Sequence, residues 1–183
     1  MSAGYLTYIQ NPLMVTLRGR RAEVGSSGAR KSGFQYTMKA MGKRRRAREL
    51  AIQVLFHMEY NSGDPEDCFQ LICDNFDPPE DARAFSRELV LGVCGHRDEL
   101  DRLISRSSKN WRLGRMSYVD RNILRIGVFE ILFMKDIPPK VSIDEAVELG
   151  KIFGREESGA FINGILDHVF NSLEDRNTLE KVP

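Results

Sequence analysis

The chain is predicted to be all-α, and three observations carry that prediction. Apolar residues recur at helical spacing through nearly all of the sequence from Met41 onward. No segment alternates with period two for long enough to make a strand. Pro, Gly and Asp-Pro signals cut the apolar pattern into pieces of helix length.

The elements follow in order. Ala47, Leu50, Ala51, Val54, Leu55 and Met58 form one face of a first helix, which Asn61-Ser-Gly63 ends. Asp64-Pro65 opens a second helix, with Asp as N-cap and Pro at the first helical position. Its face is Phe69, Ile72, Cys73 and Phe76, and Pro78-Pro79 closes it. A third helix, about 80–96, presents Phe85, Leu89 and Val93, and a fourth, about 97–108, presents Leu100, Leu103 and Ile104. Asn110 to Gly114 reads as a connector. Ser117 to Lys135 is the most apolar stretch, and a helix apolar on most sides is expected at the centre with the others around it. Ile137-Pro-Pro139 stops it. Ser142 to Glu145 reads as a capping box opening a sixth helix, which Gly154 ends. A last helix, about 156–173, carries Phe161, Ile162, Ile165, Leu166, Val169 and Phe170, leaving 174–183 as a polar tail.

Length and composition suit one domain or two small halves sharing a core: 183 residues, 42% hydrophobic and 29% charged. The net charge of +1 hides an asymmetry. Residues 1–48 hold 11 Lys/Arg and one acid, Glu23, whereas residues 49–183 hold 16 Lys/Arg and 25 acids. A basic arm on a mildly acidic body points to a polyanionic partner. Residues 1–42 are Gly-containing, basic and without a sustained period, so disorder is expected there. They fit a basic arm, an organellar transit sequence or an upstream extension of the reading frame; Met41, just ahead of the ordered pattern, favours the extension. Cys68, Cys73 and Cys94 are odd in number and lack CxxC spacing, so they read as reduced core residues of a cytoplasmic protein. No apolar run is long enough to span a membrane.

Nothing in the sequence argues for catalysis, a metal or a cofactor. His57, His96 and His168 stand singly, and there is no P-loop, dinucleotide fingerprint or nucleophile elbow. The strongest signal is the run Lys43, Arg44, Arg45, Arg46 and Arg48 at the start of the first helix. Cations there oppose the helix dipole, and Arg44 and Arg48 repel at i, i+4. A phosphate partner would reverse both penalties. Short single-stranded RNA, read by stacking and base-edge contacts beside a basic groove, fits better than a long duplex repelled by the acidic body. Phe56 and Phe161 are candidate stacking residues that could equally be core. The competing expectation is a helical adaptor or homodimer whose Arg cluster pairs with an acidic protein surface.

Six blocks give these readings a family context: RRRARELAIQVLF (44–56), LVLGV (89–93), LDRLI (100–104), DRNILRIGVFEIL (120–132), IPPKVSIDEAVELGKIFG (137–154) and FINGILD (161–167). In order and spacing they resemble the NusB family of transcription antitermination factors, over about residues 43–170. The resemblance implies about seven helices in two halves and no enzymatic activity. It implies binding of the boxA element of ribosomal RNA leader transcripts together with NusE, a small-subunit ribosomal protein. Through that pair it implies association with RNA polymerase and other Nus factors, and some members are suspected to form a homodimer. Lys43, Arg44, Arg45, Arg46, Arg48 and Phe161 would then lie at the RNA surface, and Phe56, Asp120 and Glu157 at the NusE surface. The same fold serves as the RNA-binding half of certain ribosomal RNA methyltransferases. These 183 residues hold no nucleotide-cofactor domain, so a stand-alone factor is expected.

Overall fold

The structure, a computed structural model, describes residues 42–108 and 111–179, with side chains through residue 175. The expectation of disorder for residues 1–42 thus falls, but for Gly42, outside the described residues. Seven α-helices are found among the described residues: α1 (Lys43–Met58), α2 (Pro65–Phe76), α3 (Glu80–Gly95), α4 (Arg97–Ser107), α5 (Tyr118–Phe133), α6 (Pro139–Phe153) and α7 (Ser158–Leu179). A short 3-10 turn, Leu113–Arg115, lies between α4 and α5. There is no strand among them.

Local chemistry accounts for most of the boundaries. The Asp64 carboxylate accepts the Glu66 amide at 2.8 Å, and Pro65 supplies a preset first helical residue for α2. Asp77 ends α2 in the left-handed region at φ 43°, a conformation Asp tolerates better than most residues. Ser117 caps α5 by accepting the Asp120 amide at 3.0 Å and donating to the Asp120 carboxylate at 2.7 Å.

One expected boundary is wrong. Ser142 and Glu145 do not cap α6, which begins three residues earlier at Pro139. Proline needs no hydrogen-bond acceptor at the first helical position, so the helix starts there. Both members of the supposed capping box are engaged elsewhere, Ser142 by Glu130 and Glu145 by Arg45. At the other end of the chain α7 continues to Leu179, past the expected end at 173.

Helices α1, α2 and α3 pack on one another, and α4, α6 and α7 gather around α5. Helix α5 also touches α1 and α3, joining the two halves, and one hydrophobic cluster runs through both. Its all-round burial, from Val119 to Glu130, is that of the central helix its composition predicted.

Two glycines let neighbours approach α5 closely. A Cβ at Gly127 would lie 2.8 Å from Leu166 Cδ1 of α7, and one at Gly92 of α3 would overlap the Phe129 ring. That ring has little room to yield, being packed 5.9 Å from His96 and 5.2 Å from Phe133 between ring centres. Gly92→Ala therefore lowers stability by about 1–3 kcal/mol despite the better helix propensity of Ala. Urea unfolding checks this; an unchanged midpoint would mean that the α3–α5 contact is looser than described.

Candidate nucleic-acid interface

The basic run occupies the first two turns of α1, which has no acidic residue in its first turn and no side-chain N-cap. Its cations do not all face outward. They meet carboxylates of the same chain in a graded series from surface to core.

Lys43 lies at the surface, 3.9 Å from Asp81. Arg44 donates to Asp136 at 2.6 Å, with both partners more than half exposed. Arg45 forks onto Glu145 at 2.9 and 2.6 Å, and hydrogen bonding to that carboxylate raises its pKa above the ordinary arginine value. Arg46 reaches Asp81 at 2.8 Å, its side chain only 9% exposed. Arg48 is fully inside. It forks onto Glu130 of α5 at 2.7 and 2.8 Å, with the two side chains 3% and 1% exposed. Ser142 of α6 donates to the same carboxylate at 2.8 Å, and Glu145 lies 3.5 Å from Arg48. The guanidinium carbons of Arg44 and Arg48 each lie 5.5 Å from the Phe85 ring centre.

Of the cations expected at an RNA surface, Arg46 and Arg48 are thus buried in ion pairs of the chain itself. The repulsion and the unfavourable dipole are relieved within the chain, by Asp81, Asp136, Glu145 and Glu130, rather than left for a partner. Lys43, Arg44 and Arg45 remain at the rim.

The residues expected at a protein-binding surface separate too. Phe56 is buried beneath two partly exposed tyrosines. Tyr60 and Tyr118 lie 5.3 and 6.4 Å from it and 5.2 Å from each other between ring centres. Tyr60 is 59% exposed. Arg121 caps Tyr118 at 4.9 Å while donating to Glu59 at 2.9 Å. Glu59 also accepts from Arg125, which forks onto Asp101 at 2.7 and 2.8 Å and so ties α1, α4 and α5 together beneath the aromatic face. Burial lowers the Arg125 pKa, but Asp101 and Glu59 outweigh it and leave the value raised.

Asp120 is on this helix and mostly buried; its second carboxylate oxygen finds no hydrogen-bond partner among the described residues. Glu157 is exposed in the turn between α6 and α7, where its carbonyl accepts the Phe161 amide at 3.0 Å. Phe161, one turn further on, is half-buried and carries the edge of Trp111 at 5.8 Å between ring centres. Among the described residues no group of three His, Cys, Asp or Glu side chains is arranged to hold a metal ion.

Sequence reasoning missed the carboxylate partners and the tyrosines above Phe56. For Glu130 a signal existed: it sits among the apolar residues of the most apolar helix, away from Asp120 in the first turn, and a buried charge requires a partner. Nothing in the sequence points to Asp136 or Asp81.

These environments make opposite predictions for neighbouring arginines. Arg48→Ala leaves Glu130 buried without its cation and should cost about 3–5 kcal/mol of stability. Arg44→Ala breaks an exposed pair and should cost less than about 1 kcal/mol. Urea unfolding of the two variants measures the contrast, and equal midpoints would refute the assignment of Arg48 to the core.

Residues 45–171 match the sequence model of the NusB family. The chain is 52% identical over 141 residues to the transcription antitermination protein NusB of Desulfatibacillum aliphaticivorans, covering 77% of this chain and 99% of that one. It superposes on T. maritima NusB with a TM-score of 0.65 at 41% identity, covering 70% of this chain and 90% of that one. It also superposes on a chain from a crystal structure of antitermination factors NusB and NusE in complex with dsRNA, with a TM-score of 0.64 at 30% identity, covering 71% and 97%. The blocks, the seven-helix fold and the coverage of whole relatives lead to one conclusion: the chain belongs to the NusB family of transcription antitermination factors.

Proposed function

We propose that the chain is a non-enzymatic antitermination factor that binds boxA-type single-stranded RNA of ribosomal RNA leader transcripts together with NusE. In this reading it acts in the cytoplasm and reaches RNA polymerase and other Nus factors through that complex. The observation that carries the reading is the split within the basic run. Arg46 and Arg48 hold α1 to the body, while Lys43, Arg44 and Arg45 stand at its rim on carboxylates that remain partly exposed. Exposed ion pairs contribute at most about 1 kcal/mol, so phosphates can replace Asp136, and with more effort Glu145, at small cost. Each replacement puts an anion at the uncapped N-terminus of α1, where the helix dipole favours it.

The aromatic face supports the NusE half of the reading. Tyr60 and Tyr118 offer apolar area with hydroxyls at the edge, seated on Phe56 and braced by Arg121. The unpaired oxygen of Asp120 is an acceptor to which a partner could donate. The resemblance to a chain from a structure of NusB and NusE with dsRNA supports NusE and RNA as the classes of partner. An acidic protein surface would compete for the same rim arginines, and the family match favours RNA over it.

Anisotropy of a labelled boxA RNA, with and without NusE across a salt series, tests the proposal. Arg44→Ala with Arg45→Ala should weaken binding and flatten the log K against log salt slope by about 1.4, two single-strand phosphates' worth. Unchanged affinity and slope would remove the rim arginines from the RNA site. Tyr60→Ala should weaken NusE binding at least about 10-fold while leaving RNA binding without NusE intact, as expected for an aromatic anchor. Equal NusE affinity would place that partner elsewhere.

A further inference from the structure

From Ser105 to Ser117 the chain carries four cations, Arg106, Lys109, Arg112 and Arg115, and no acid. At the centre of this stretch is Trp111, the only tryptophan in the chain. Lys109 and Asn110 lie outside the described residues. The main chain of Trp111 is clamped from both directions. Its amide donates to the Ser108 carbonyl at 3.0 Å, and the buried Ser108 hydroxyl donates to the Trp111 carbonyl at 3.0 Å. The indole meets Phe161 nearly edge-on at 68°, yet it is 55% exposed.

The guanidiniums nearby differ from those of α1. Among the described residues, Arg106, Arg112 and Arg115 are exposed and enter no ion pair, whereas every arginine of the α1 run has a carboxylate. A flat aromatic surface held by its backbone, propped by a second ring and flanked in sequence by exposed arginines outside any ion pair is suited to single-stranded nucleic acid. Any base can stack on it, while the cations follow the phosphates. A core role does not explain the exposure of the indole, and an apolar peptide would not use the cations.

The geometry points to residues 111–115, ahead of α5, as a second RNA contact, in which a base stacks on Trp111 beside Phe161 and Arg112 and Arg115 take the adjoining phosphates. This rests on the reading of the chain as an RNA-binding factor and extends its site beyond the α1 run. Phe161 then serves as the prop that fixes the indole.

Because Trp111 is the sole tryptophan, its emission reports the contact directly. The full chain is titrated with a boxA-containing single-stranded RNA of about 12 nucleotides, within the range such sites cover. Trp111 emission and the anisotropy of labelled RNA are read in parallel, with circular dichroism confirming the helical fold of each variant. RNA should quench the emission. Trp111→Ala should weaken binding on the order of 5- to 100-fold, and Trp111→Phe should retain most of the affinity. Arg112→Ala with Arg115→Ala should flatten the salt slope by about 1.4. If RNA binds the wild type with emission unchanged and Trp111→Ala binds as tightly, this contact is refuted while the RNA-binding reading stands. If the wild type binds no RNA with or without NusE, both fall together. If Trp111→Ala loses affinity for NusE rather than RNA, the connector is a protein-docking surface and the proposal is overturned.

Discussion

The fork of Arg48 onto Glu130 is the interaction on which the rest of the arrangement depends. It joins the amphipathic α1 to the central helix α5 at a point where neither charge reaches water. Two charges removed from solvent are tolerable only when geometry and additional hydrogen bonds satisfy them. Ser142 supplies such a bond and brings α6 to the same carboxylate, so three helices converge there. With α1 held in this way, the arginines before Arg48 are carried to defined depths: Arg46 onto Asp81, Arg45 onto Glu145 and Arg44 onto Asp136 at the rim.

A single sequence feature thereby does two jobs. Consecutive positions on an α-helix point about 100° apart, so a run of basic residues cannot face one way. Arg48 turns inward, where Arg is better suited than Lys because its planar fork matches a carboxylate in two places. Arg44 and Arg45 turn toward the edge, where their carboxylates stay partly exposed. The aromatic face at the other end of α1 has a comparable foundation: Glu59, Arg121, Arg125 and Asp101 fix the helices below Tyr60 and Tyr118. In each case buried ion pairs position groups that stay at the surface.

The fold was largely legible in the sequence because periodicity and capping are local. The all-round apolar character of 117–135 marked the central helix, and Asp64-Pro65 and Ser117 marked real helix starts. The Ser142 box misled because the motif is also local, whereas the residues claiming Ser142 and Glu145 come from α5 and α1. Of the basic run, position was legible but arrangement was not. The basic run is where its composition placed it, but its carboxylates lie from 35 to 100 residues away in sequence, beyond the reach of spacing rules. Phe56, for which the sequence leaves core and contact both open, is buried in the core, and the exposed rings above it come from Tyr60 and Tyr118.

A double-mutant cycle between Arg48 and Glu130 tests the central claim most directly, with stabilities from urea unfolding of Arg48→Ala, Glu130→Ala and the double variant. If the buried fork anchors α1, each single change leaves an unpaired buried charge, and the double change should recover about 1.5–3 kcal/mol relative to their sum. Additivity within about 0.5 kcal/mol would show that the two residues do not depend on each other, and that something else positions the basic helix.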